Sequence, residues 1–95
     1  EEVDNDEKVE VKNNRDHKVD NNDTLKVGNE LYIEAGAKIT IKVGASSITM
    51  DPASIKLESP MITVEANASA ELKSPLTTVE GTGILTLTGG LVKIN

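Results

Sequence analysis

Cysteine, phenylalanine and tryptophan do not occur in this sequence, and Tyr32 is its only aromatic residue. Without cysteine there is no disulfide and no thiolate metal site, so packing and hydrogen bonding carry the stability. Large aromatic side chains normally fill a thick core. Their absence predicts a thin core of Val, Ile, Leu, Ala and Thr. Positive charge is also short: ten Lys and Arg stand against sixteen Asp and Glu, for a net charge of −6. Nucleic-acid binding needs a clustered basic face, so a nucleic-acid partner is not expected. No apolar run approaches the roughly 20 residues of a membrane helix. The 95 residues suffice for one domain, and the abrupt acidic start at Glu1 is expected to be a point inside a longer polypeptide.

What is present is a repeat. From Leu25 to Pro60 a turn-forming residue returns every eight positions, at Gly28, Gly36, Gly44, Pro52 and Pro60. Between them lie short β-like runs: Leu31-Tyr32-Ile33, Ile39-Thr40-Ile41-Lys42-Val43, Ser47-Ile48-Thr49-Met50 and Ile55-Lys56-Leu57-Glu58. Gly permits positive φ and Pro fixes φ without an amide donor, so each repeat reads as one strand, or rung, and one corner. A fixed short period is the mark of a solenoid or fibre whose repeats bury their apolar side against copies of themselves.

The period already runs through the charged opening segment. Val9 and Val11, His17 and Val19, Leu25 and Val27, Ile33 and Ala35, Ile41 and Val43 form two columns eight residues apart. Each pair is spaced by two, as on one face of a strand. Asn13-Asn14, Asn21-Asn22 and Asn29 fall at corners, where Asn tolerates left-handed backbone. Glu10, Lys18, Lys26, Glu34 and Lys42 alternate outward as a solvated face of mixed sign. After Val43 the apolar pairs step by seven: Ile48 and Met50, Ile55 and Leu57, Ile62 and Val64. Weaker rungs follow at Ala70 and Leu72, Thr77 and Val79, Leu85 and Leu87, Val92 and Ile94, with corners at Asn67, Pro75, Gly83 and Gly90. Shorter rungs predict a cross-section that narrows towards the C-terminus. Beyond Lys73 the only charged residues are Glu80 and Lys93.

A rung of seven or eight residues spans only about 25 Å at about 3.3 Å per residue, so a closed three-sided prism takes three of them. A single chain coiling alone would have about four coils, no caps and unpaired sheet edges. Three chains, each giving one rung per turn, pair nearly every rung with a neighbouring chain. The fold class expected is therefore all-β, an intertwined triple-stranded β-helix, or triangular prism, formed by three chains over residues 1–95. Its core columns are Val9, Val11, Val19, Leu25, Val27, Ile33, Ile41, Val43, Ile48, Met50, Ile55, Leu57, Ile62, Val64, Leu85 and Leu87.

At these residues the chain resembles the C-terminal β-helix of VgrG, the valine-glycine-repeat spike protein of bacterial type VI secretion, and more distantly the needles of contractile-phage spikes. Val27-Gly28 and Val43-Gly44 match the repeat that names the family, and Ala35-Gly36 is a near match. The closing Gly89-Gly90-Leu91-Val92-Lys93-Ile94-Asn95 is similar to a VgrG chain end. At Pro52, Pro60 and Pro75 the corners depart from valine-glycine. The resemblance implies a trimeric, non-enzymatic, cofactor-free needle, joined to a tube through upstream domains outside this chain. It further implies assembly in the cytoplasm, outward drive by a contracting sheath, secretion and the piercing of a target-cell membrane. A small PAAR-type tip protein is then expected on Gly89, Gly90, Leu91, Val92, Lys93, Ile94 and Asn95, where the last rung leaves an unpaired edge. A uniform fibre shaft of a phage tail spike or adhesin is the alternative.

Candidate chemistry is sparse. His17, the only imidazole, sits in an inward column, so three copies would meet near an axis and could bind Zn or Ni, against the reading of a packed histidine. No metal site is assigned to it. Asp4, Asp6, Asp16, Asp20 and Asp23 lack the dense ligand order and turn Gly of a calcium loop. Thr40, Thr49, Thr63, Thr78 and Thr86 are too irregularly spaced for an ice-binding ladder and follow from β propensity. With one His, no Cys and carboxylates on outward columns, no catalytic constellation forms.

Overall fold

The computed structural model describes residues 4–95, so the acidic start at Glu1 lies outside the described residues. The chain divides into two units, Glu1–Gly36 and Ala37–Asn95. In both, the backbone bends with the period of the sequence. Bends fall at 4–5, 12–13, 20–21, 28–29 and 36–37, then at 44–45, 52–53 and 60, eight residues apart throughout. Further bends at 67–68, 75–76, 82–83 and 90–91 alternate steps of seven and eight. Every corner expected at an Asn, Gly or Pro between Asn13 and Gly90 lies in or beside one of these bends.

Hydrogen-bonded strands occur in the second unit: β1, Ile39–Val43, β2, Ser46–Met50, and β3, Ile55–Glu58. They form an antiparallel sheet in the order β1-β2-β3, and no helix is present among the described residues. The protein is all-β. The sequence reading gave each rung a partner on a neighbouring chain, whereas these three rungs pair with one another. Parity gives the reason. A two-residue loop after Val43 places Ile48 opposite Ile41, and a four-residue loop after Met50 places Ile55 opposite Met50. Both loops have an even number of residues, so apolar pairs seven apart meet on one face. With an eight-residue step the same loops would set apolar against polar side chains. Successive seven-residue steps run from Ile41 through Ile48 and Ile55 to Ile62, and the sheet forms along this stretch.

Two turns reverse the chain. Gly44, with φ of 54°, is the first central residue of the β1-β2 loop, and Ala45 has no positive φ. This is a type II′ geometry, whose twist matches that of the flanking strands. Between β2 and β3, Asp51-Pro52-Ala53-Ser54 has Asp at the first and Pro at the second position of a type I turn. The Asp51 amide donates to the Ser54 carbonyl at 3.0 Å, and the Asp51 Oδ1 accepts from the amides of Ala53 and Ser54 at 2.9 Å each. Later corners use related devices. Ser74 Oγ accepts from the Leu76 amide at 3.1 Å across Pro75, and a Cβ on Gly81 would lie 2.5 Å from the Ile84 carbonyl oxygen.

None of the described residues is buried. Hydrogen bonds set the geometry of the sheet and its turns, while the apolar side chains of the described residues remain in contact with solvent.

The carboxyl of Asp51 is held below its ordinary value of 3.8, first by the Ala53 amide and then by the Ser54 amide, with a smaller contribution from Lys38. Those bonds favour the charged form, so their stabilisation is complete above pH 3.8 and is lost as the pH falls through the lower folded-state value. Denaturation midpoints of the wild type and Asp51→Ala should therefore differ at pH 6 and converge as the pH is lowered through and below the depressed folded-state value.

Candidate functional site

Strand alternation sorts the sheet into two faces. Ile39, Ile41 and Val43 of β1 share one face with Ile48 and Met50 of β2 and with Ile55 and Leu57 of β3. Across the strands, Ile39 stands opposite Met50 and Met50 opposite Ile55, while Ile41 stands opposite Ile48 and Ile48 opposite Leu57. The other face carries Thr40, Lys42, Ser47, Thr49, Lys56 and Glu58. Lys56 Nζ approaches Glu58 Oε1 at 3.9 Å, an exposed pair of little energetic consequence.

Beside the apolar face lies an open groove of about 280 Å³, bounded by Ile41, Ile48 and Leu57 on the sheet and by Met61 and Ile62 beyond it. At its polar rim the hydroxyls of Ser46 and Ser59 lie 2.8 Å apart, joining the start of β2 to the residue after β3. Ile41 is 59% exposed and Ile48 42% exposed, so nothing within the chain covers this face. An uncovered face of Ile, Val, Leu and Met, with Ser46 opposite Val43 at its end, has the composition of an association surface.

Of the expected core columns, the sheet brings together Ile41, Val43, Ile48, Met50, Ile55 and Leu57, and Ile62 reaches the groove. Val9, Val11, Val19, Leu25, Val27 and Ile33 are exposed along the first unit, and Val64, Leu85 and Leu87 are exposed along the second. Gly89 to Asn95 contain the last bend, with Leu91 and Ile94 almost fully exposed. His17 Nε2 lies 3.4 Å from Asp23 Oδ2 across the bend at 20–21, both side chains in solvent. Among the described residues no three His, Cys, Asp or Glu side chains gather as a metal site.

Sequence reasoning missed Ile39, Ser46, Ser59 and Met61. Ile39 shares the parity of Ile41 and Val43, a signal present in the run but lying outside the two-residue repeat. Nothing in the spacing marked the Ser46–Ser59 pair, whose partners are 13 residues apart. Comparison with protein-family models, with curated proteins and with solved structures returns no match.

The two faces make opposite demands on a charge. Ile41→Asp puts a carboxylate on the apolar face, at a cost of several kcal/mol wherever a partner excludes water from it. Lys42→Asp places the same group on the polar face and should be nearly silent. In thermal denaturation the first variant should melt far below the second. Equal melting would show that the face stays open to water, as a lone chain with Ile41 59% exposed would leave it.

Proposed function

We propose that this chain is one strand of a trimeric β-helical needle, a structural cell-puncturing spike of the VgrG kind that carries a PAAR-type tip at its C-terminal end. The observation behind this reading is a regular series of bends from residue 4 to residue 91 without one buried side chain. Regular local order without a core is what one strand of an assembly has when its partners are taken away. Backbone ordering costs about 1–2 kcal/mol per residue, which exposed side chains cannot offset. Three copies of a one-sided apolar column supply the missing burial. They also pair the edges that β1 and β3 leave free within the sheet.

Such an object acts mechanically. Load along its axis is borne by rungs hydrogen-bonded to rungs, and unfolding has to separate three chains, so it is slow. The tube is reached through upstream domains, and sheath contraction supplies the work. At the far end Leu91, Val92 and Ile94 from three chains make a small apolar triangle ringed by free backbone groups, which a threefold cap covers by strand addition. Secretion into the extracellular space or a target cell follows from that use.

Sedimentation equilibrium of the purified chain tests the assembly. A particle of about three times the 10.1 kDa chain mass is expected, and a stable folded monomer would overturn the reading. The tip assignment has its own test. Deleting Leu91 to Asn95 should abolish binding of a cognate PAAR-type protein in a calorimetric titration while the particle stays trimeric. Undiminished binding would place the cap elsewhere.

A further inference from the structure

Asn22 and Asn67 stand apart from the other asparagines of the corners. Each is followed two residues later by a hydroxyl, in Asn22-Asp23-Thr24 and Asn67-Ala68-Ser69, with no Pro between. Each is also preceded by a carboxylate at the same distance, Asp20 and Glu65. This five-residue layout recurs at one place in the repeat: Thr24 immediately precedes the pair Leu25 and Val27, and Ser69 immediately precedes Ala70 and Leu72. Asn22 adjoins the bend at 20–21, and Asn67 opens the bend at 67–68.

The corners themselves do not call for these side chains. Asn suits a turn either by tolerating left-handed backbone or by bonding its carboxamide to a nearby amide. Among the described residues only Gly44 has positive φ, so neither asparagine serves the first purpose. Asp51 and Ser74 illustrate the second, each accepting from an amide two residues on. Among the described residues the carboxamides of Asn22 and Asn67 have no hydrogen-bond partner in the chain, and neither do the hydroxyls of Thr24 and Ser69. Both segments lie outside the strands, make no backbone hydrogen bond within the chain, and are exposed throughout 20–24 and 65–69. An enzyme that must bend such a segment to its own shape meets no competing structure there.

We propose that Asn67 and Asn22 are N-glycosylation sites, at which the carboxamide Nδ2 accepts a sugar activated as a diphosphate. Asn-x-Ser/Thr is the acceptor pattern for this transfer. A bond forms between Nδ2 and the anomeric carbon of the sugar, and the bond from that carbon to the diphosphate oxygen breaks. The diphosphate leaves with the electron pair, and a carboxamide proton passes to a base of the transferase. One corner of each unit then bears carbohydrate among side chains already in solvent. Nucleotide-diphosphate sugars and lipid-pyrophosphate oligosaccharides share this donor chemistry. Five consecutive residues set each site, independently of the three-chain reading.

Intact-mass measurement of the purified full chain tests this after incubation with UDP-glucose and a soluble asparagine glucosyltransferase. A second arm supplies a lipid-pyrophosphate oligosaccharide and a membrane oligosaccharyltransferase. In at least one arm the wild type should gain one glycan at Asn67 and one at Asn22, located by peptide mass spectrometry, and the arm that succeeds identifies the donor. Ser69→Ala leaves Asn67 in place but should lower its occupancy by at least about tenfold, and Ser69→Thr should restore it. Asn13, Asn14, Asn21 and Asn29 lack a hydroxyl two residues on and should stay unmodified. A wild type unmodified in both arms overturns the proposal, and one unmodified at a single asparagine overturns that site. Undiminished occupancy of Asn67 in Ser69→Ala, or equal modification of Asn29, also overturns it, since either shows that exposure of an asparagine is all that the transferase reads.

Discussion

Everything in this structure depends on one constraint: a rung of seven or eight residues can order its backbone but cannot cover its own apolar side. Alternation gives each rung one face of Val, Ile or Leu and one of Thr, Lys or Glu, and the bends repeat that division from one end of the chain to the other. With no aromatic residue but Tyr32, the large side chains that usually fill a core are missing. The result is local order with the hydrophobic term still uncollected. Association of copies through the apolar sides would collect that term, and a periodic sequence is what would let copies meet in phase.

Much of the local geometry was legible in the sequence because turn chemistry is local. Gly44 at positive φ and the Asp51-Pro52 turn follow from the residues at those positions, and the bends fall where Asn, Gly and Pro mark them. The direction of pairing was not legible from the period alone. It depends on the parity of the loop between apolar pairs, a difference of one residue between steps of seven and eight. Ile39 was overlooked for a related reason: the two-residue repeat hid the longer alternation that the hairpin uses. The Ser46–Ser59 bond joins residues 13 apart across a strand and two turns, which no local pattern encodes.

The apolar surface that makes the candidate site was visible as columns, but its form was not. Six of the expected core residues share the sheet face, and the groove beside it needs Met61, a residue whose parity assigns it outward. A bend at 60 sits between Leu57 and Ile62, and so brings an outward residue to the edge of an inward face. His17 illustrates the converse. Its column is inward by spacing, and in the single chain its imidazole lies in solvent 3.4 Å from Asp23 across a bend. An axial imidazole would have to give up that partner and its hydration together.

The shift in step also divides the work along the chain. From residue 4 to residue 43 each apolar pair begins five residues after its bend. Across the sheet that distance falls to four, then three, then two, and beyond Ile62 it stays at two or three. The bends keep their eight-residue spacing through this change, so the apolar columns slide steadily relative to the corners within Ile39–Ile62 and beyond it alternate by one residue. A slide of one residue reverses which side of the strand follows a corner. Intrachain pairing through Gly44 and Asp51-Pro52 fixes the register of β1, β2 and β3 while this happens. The sheet thus forms where the step of the apolar pairs changes, and its two turns set which side chains of the three strands share a face.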